Sequence, residues 1–123
     1  MLLNLSNLIS LEYSPAVNTI LLADGANEYV LGIEAAEGTD ELIKRCSNYK
    51  KKGDKGILLK LSKYNQNSNL DIPVIGLKTV KLLKKHDFEG IFLEKDKCIV
   101  LQKKEVIEFC NKNKLFVLTI IKS

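Results

Sequence analysis

Six residues, Gly56 to Leu61 (GILLKL), constrain the fold more than any other stretch. Only Lys60 interrupts their apolar character. Polar, turn-forming segments bound them on both sides, KKKGDK before and SKYNQNSNL after. A run this short and this continuous reads as a strand covered on both faces, and so as the centre of a sheet.

The other expected elements fall in order around that strand. Leu2, Leu5, Leu8 and Ile9 stand near helical spacing in the leucine-rich start, which Ser14 and Pro15 close. Val17 to Ala23 and Tyr29 to Glu34 read as strands, and the turn residues Asp24-Gly25-Ala26-Asn27 make them a hairpin. A helix is expected from about Asp40 to Tyr49, then the basic turn Lys50 to Lys55 and the central strand. An amide-rich loop, Ser62 to Leu70, leads to Asp71–Gly76, kept extended because Ile72 precedes a proline. A second helix runs from Leu77 to His86 with Val80 and Leu83 inward. Gly90–Glu94 and Cys98–Leu101 are strands around a Glu94–Lys97 turn, and Val106, Ile107, Phe109 and Cys110 mark a last helix, about Lys103 to Lys112. Leu115 to Ile121 is placed inside the sheet as a closing strand. Helices returning between strands give an α/β fold, a single layered domain with a mixed sheet and about three helices.

With 123 residues, one domain is expected. Hydrophobic residues make up 46% and charged residues 28%, which suits a soluble globular chain. No apolar run approaches the roughly 20 residues a membrane helix needs. The start lacks a basic n-region and a small-residue cleavage site, so a secretory signal is not expected. Cys46, Cys98 and Cys110 are scattered without C-x-x-C spacing, which reads as reduced, mostly buried thiols in a cytoplasmic protein.

Charge is unevenly spread. Residues 1–43 hold seven acids and no lysine or arginine, while all nineteen basic residues lie from Lys44 onward. An acidic site in a basic surround would suit a metal with an anionic substrate, and lysines that only decorate helices would give the same count.

The acids concentrate where the second strand meets the first helix. Glu34, Glu37, Gly38, Thr39 and Asp40 follow one another there, and Leu42 and Ile43 open the helical pattern. Thr39 is a suitable N-cap, and Asp40 and Glu41 complement the macrodipole in the first turn. Glu34, Glu37 and Asp40 are nevertheless more carboxylates than a cap requires, and they repel unless a cation or donor cluster offsets them. A capped, solvated turn and a divalent-metal or phosphate site both fit.

A second loop at a strand's carboxyl end, Lys60 to Asp71, is the other place for chemistry in such a fold. Asp71 is its one acid, either closing a turn before Ile72-Pro73 or binding a metal and orienting a water. Lys60 and Lys63 are either solvated or in reach of phosphate oxygens. His86, the one histidine, reads as a helix end-cap favoured by the dipole. No G-x-S-x-G, Walker-type or H-x-x-x-H pattern occurs, and the basic residues are too dispersed for a nucleic-acid stripe.

Three runs carry a resemblance: IEAAEGTDELIKRC, GILLKLSKYNQNSNLDIPVIGLKTV and GIFLEKDKCIVLQKKEVIEFCNKNKLFVLTI. Together they resemble the carboxyl-terminal domain of the UDP-2,3-diacylglucosamine pyrophosphatases of lipid A biosynthesis, the two-domain, magnesium-dependent type. The match covers about residues 17 to 121, through E-G-T-D at Glu37–Asp40 and D-I-P-V-I-G at Asp71–Gly76. One difference stands out. Where the family usually reads Q-D-x-R-x-D, this chain has Gln66-Asn67-Ser68-Asn69-Leu70-Asp71, replacing an acid and an arginine by asparagine.

The resemblance implies hydrolysis of UDP-2,3-diacylglucosamine to 2,3-diacylglucosamine 1-phosphate and UMP with Mg²⁺, in the cytoplasm or at the inner face of the inner membrane. It implies Asp71 as the catalytic acid, Glu37, Asp40 and Asp71 as metal ligands, and Gly38, Thr39, Lys60, Gln66 and Asn69 as substrate contacts. Residues 1–123 would form one domain, with the family's amino-terminal domain absent. A split subunit, a fragment and a gene remnant that keeps only the fold as a binding module are the alternatives for such a chain. Expected partners are the UDP-linked diacylated glucosamine, an amino-terminal domain in trans or a second copy in a homodimer, and peripheral membrane contact. No nucleic acid is expected.

Overall fold

A computed structural model describes residues 19–24, 28–61, 63–64 and 70–121. The leucine-rich start lies outside the described residues. The chain order is β1 (Thr19–Asp24), β2 (Tyr29–Ile33), α1 (Thr39–Cys46), a 3₁₀ turn (Ser47–Tyr49), β3 (Lys55–Lys60), β4 (Lys63–Tyr64) and β5 (Leu70–Asp71). Then come β6 (Val74–Ile75), α2 (Leu77–Lys85), β7 (Gly90–Glu94), β8 (Ile99–Val100), α3 (Lys103–Asn113) and β9 (Phe116–Ile120).

Five strands form one mixed sheet in the order β2-β1-β3-β7-β9, so the GILLKL strand is central, as its composition requires. β1 runs antiparallel to both β2 and β3, whereas β3, β7 and β9 are parallel. Hence β2, β3, β7 and β9 all point one way and β1 alone is reversed. Parallel neighbours need long crossovers, which α2 supplies between β3 and β7 and α3 between β7 and β9. α1 crosses from β2 to β3 over β1.

The core has two parts because strand side chains alternate between faces. On one face, Leu21, Leu58, Ile91 and Leu93 meet Leu42, Ile43 and Cys46 of α1, Val80 and Leu83 of α2, and Val106 and Cys110 of α3. On the other, Leu22, Leu59 and Leu61 form a second buried cluster with Phe92 and Ile120 against it, and no described helix contributes to it. Cys46 and Cys110 are buried and Cys98 is half-buried, all three free; burial pushes each thiol above its usual range.

Two expectations change, one gains detail and one is met. Leu115–Ile121 yields β9 at the sheet edge, because an apolar run signals burial of side chains but not which strands flank it. β7 and β8 flank the expected turn without pairing to each other, since β8 pairs in parallel with β6. The amide-rich loop holds two short strands, Lys63 pairing with Asp71 and Tyr64 with Leu70. His86 does cap α2, its backbone N–H reaching Leu82 O. Burial, with Lys85 and Lys44 nearby, pushes its imidazole below the usual value.

α1 sits against β2 because Gly32 has no side chain: a Cβ there would run into Cys46 Sγ and touch Leu42. Gly32→Ala should therefore cost about 1–3 kcal/mol by overpacking. Thermal unfolding of Gly32→Ala, Cys46→Ala and the double variant checks this. The double variant should recover part of the loss, and strict additivity would mean the contact is not the cause.

Candidate functional site

β2 ends at Ile33, and the next residue, Glu34, turns back toward β1. Its N–H donates to Thr19 O at 2.9 Å. Its carboxylate accepts from the Thr19 hydroxyl at 2.9 Å and, through the other oxygen, from the Thr39 hydroxyl at 2.8 Å. The Thr39 oxygen in turn accepts from Lys60 Nζ at 2.6 Å. A continuous path thus joins the start of β1, the end of β2, the start of α1 and the end of the central strand. Lys60 is only 4% exposed and Thr19 fully buried. Low dielectric strengthens such hydrogen bonds and makes any unmade one costly.

This network changes the expected cap. Gly38, not Thr39, is the N-cap of α1, at φ 87°, ψ 167°, and no side chain caps the helix. That region is open to glycine and strained for other residues. Thr39 is the first helical residue, and its hydroxyl serves Glu34 rather than the backbone.

Beside the network lies an open cleft of about 390 Å³, lined by Glu37, Gly38, Thr39, Asp40, Glu41, Val74, Lys78 and Thr79. Asp40 Oδ1 accepts from the buried Thr79 hydroxyl at 2.8 Å, which ties α1 to α2. Arg45 donates to Glu37 Oε1 from Nε at 3.0 Å and from Nη2 at 2.6 Å. That guanidinium holds the Glu37 carboxyl below its ordinary range. Glu37, Gly38, Thr39 and Asp40 therefore meet at one cleft, while Lys60 reaches it through Thr39.

The other expected residues stand differently. Asp71 has its backbone in β5, paired with Lys63 just past the end of β3 and three residues before the cleft-lining Val74. Gln66 and Asn69 lie outside the described residues. Among the described residues, no group of three or more His, Cys, Asp or Glu is gathered to hold a metal. The cleft's donors are carboxylate oxygens, and Mg²⁺ takes one or two of these with phosphate oxygens and water, so the donor chemistry fits that ion. Sequence reading missed Thr19, Thr79 and Lys78. Thr79 alone left a signal, as a poor helix former in the first turns of an otherwise Leu/Lys helix.

The LpxI C-terminal domain family matches residues 20–118. This chain belongs to that family. The UDP-2,3-diacylglucosamine pyrophosphatase LpxI of Caulobacter vibrioides is 30% identical over 95 residues, covering 72% of this chain and 34% of that protein. The chain thus spans about a third of the relative's length. The family match, residues 20–118, contains the whole cleft wall from Glu37 to Thr79. Among the described residues, no helix is long and apolar enough to cross a membrane.

Two outcomes test the site's architecture. Thr39→Val keeps the shape but strips Lys60 and Glu34 of a shared partner, and should cost about 1–3 kcal/mol in denaturant unfolding. Thr39→Ser should retain most of that stability. Equal losses for both would show that the hydroxyl is not what matters. For Glu37, a folded carboxyl held below its unfolded value of about 4.3 adds stability that is fully present above that pH. It is lost as pH falls through the lower folded value. The melting-temperature gap between wild type and Glu37→Gln should therefore be open at pH 7 and close in acid below about pH 4; a gap unchanged with pH would rule the ion pair out as its source.

Proposed function

We propose that this domain supplies one wall of a Mg²⁺-dependent pyrophosphate hydrolysis site acting on UDP-2,3-diacylglucosamine, completed by an amino-terminal domain in trans. The observation that carries this reading is the carboxylate-lined cleft at the open N-terminus of α1, in a chain of the LpxI C-terminal domain family. It lies where β2 and β3 end, the end of such sheets at which ligands collect.

The reaction adds water to one phosphorus of the P–O–P bridge. The bridge breaks to give 2,3-diacylglucosamine 1-phosphate and UMP, and the water's proton is released. Asp71 is assigned to orient that water. Glu37, Asp40 and Asp71 are the oxygen donors that would hold Mg²⁺, which when bound offsets phosphate charge. Gly38 and Thr39 present the start of α1 to phosphate oxygens, helped by the dipole. Lys60 acts by fixing Thr39 and Glu34, a positioning residue, and Gln66 and Asn69 belong to the substrate side of the adjoining loop.

A second reading has an observation of its own. Arg45 occupies the Glu37 carboxylate, and asparagines stand at 67 and 69 where the family resemblance implies an acid and an arginine. This favours a module that binds but turns over weakly. Absence of one arginine-type phosphate contact is worth about 2–4 kcal/mol of transition-state stabilisation, roughly thirty- to a thousandfold in rate.

Product formation by this chain mixed with the amino-terminal domain of a relative decides between them. Under the first reading, the mixture releases UMP with Mg²⁺, stops on chelation, and loses activity in Asp71→Ala. If only Asn67→Asp combined with Asn69→Arg turns over, the binding-module reading holds. If neither mixture works, the site assignment is wrong.

A further inference from the structure

The two edges of the main sheet, β2 and β9, are built differently. β2 carries a bulge: Leu21 pairs with Gly32 and Leu22 with Val30, which leaves Leu31 as an extra residue. Such an irregularity guards an edge against pairing with another chain. β9 has no guard of this kind. Its sequence, FVLTI, holds no charge and no proline, and it pairs with β7 without a register shift from Gly90–Phe116 to Glu94–Ile120. Among the described residues, no strand lies along its other side. Val117, Leu118 and, just after the strand, Ile121 are 36%, 51% and 80% exposed.

The backbone decides what fits there. Phe116 N–H donates inward to Glu89 O, and Ile120 O accepts inward from Lys95 N–H. By alternation, Val117, Thr119 and Ile121 turn their N–H and C=O groups outward. A row of such groups is a template for another strand. These three positions are symmetric about Thr119. A second copy of the same strand, antiparallel and related by a two-fold axis at Thr119, sets Thr119 against Thr119 and Val117 against Ile121 of that copy. Each outward donor then meets an outward acceptor. The same register sets Leu118 against Ile120 of the second copy, on the face away from the helices where Phe92 lies. Aliphatic thus meets aliphatic and threonine meets threonine, both favourable cross-strand pairs, and no charge falls within the paired stretch. A patch that complements itself in this way suits a closed two-fold pair.

We propose that β9 is a self-association edge, through which two copies of this chain join antiparallel about Thr119 into one continuous sheet. β9 lies across the sheet from β1 and β2, the strands α1 packs against, so both clefts stay open in the pair. This association does not depend on the reaction assigned to the cleft.

Sedimentation of the 123-residue chain over a concentration series tests it. The mass should rise from one chain toward two with concentration. Thr119→Lys and Thr119→Glu each set like charges face to face on the axis and should hold the mass at one chain. Both should leave the melting temperature of the dilute protein unchanged, because Thr119 is exposed in the single chain. Mixed in equal amounts, the two variants should restore the two-chain species, since lysine then faces glutamate. In a Cys98→Ser background, Thr119→Cys should form an interchain disulfide on mild oxidation. Directly opposed residues of a hydrogen-bonded pair have Cα atoms about 5.5 Å apart, within disulfide reach. Leu118→Cys, offset from its counterpart across the axis, should not link. A chain that stays single at every concentration, a dimer that both charged variants leave intact, or linkage through Leu118→Cys in preference to Thr119→Cys would each overturn the proposal.

Discussion

An almost fully buried lysine at the end of the central strand governs this domain's architecture. Lys60 ends β3, on the face that carries the helices, and donates to Thr39 at the start of α1. A buried ammonium is tolerated only when oxygens surround it. Thr39 supplies one such oxygen while its own proton goes to Glu34, and Glu34 in turn accepts from Thr19. One hydrogen-bonded path thereby ties together the start of β1, the end of β2, the start of α1 and the end of β3. The five-residue connection between β2 and α1 carries Glu34 into this network and Glu37 to the cleft that Asp40 also lines.

The same constraint explains what was legible in the sequence. Periodicity located the strands and helices because apolar spacing reports burial directly: GILLKL is central, and the hairpin and three α-helices fall where their patterns place them. Pairing was less legible. Cys98–Leu101 looks like the return strand of a hairpin until one knows that Val74–Ile75 lies alongside, a contact across more than twenty residues that no local pattern encodes. The edge position of β9 is hidden for a similar reason, since the composition of a strand does not name its neighbours.

At the site, the residue types were legible and their hydrogen-bond partners were not. E-G-T-D pointed to a helix start and an acidic cluster, and both are present. Thr39 nevertheless bonds outward to Glu34 because Lys60 stands behind it, and that pull comes from a strand twenty-one residues away. Gly38 then carries the turn by backbone conformation alone, at a positive φ that Thr39 in its place could not adopt without strain. Thr79 was inconspicuous because its meaning depends on Asp40, thirty-nine residues earlier.

An uncapped helix start has a cost, and that cost bears on function. A threonine N-cap is worth about 1 kcal/mol over an uncapped end, and this chain has the threonine one position away from where it would cap. Spending the hydroxyl on the Lys60 network leaves the first turn of α1 facing the cleft without a side chain folded over it. Asp40 is held by Thr79 and Glu37 by Arg45, so the flanking acids are kept at the rim in fixed positions. Under the proposed function, the result is a polar cradle whose walls are set before any ligand arrives. Pre-set geometry of this kind contributes to catalysis by positioning. It matters most for a floppy substrate, because a diacylated sugar nucleotide would lose many rotatable bonds' worth of entropy in binding a wall that also had to order itself.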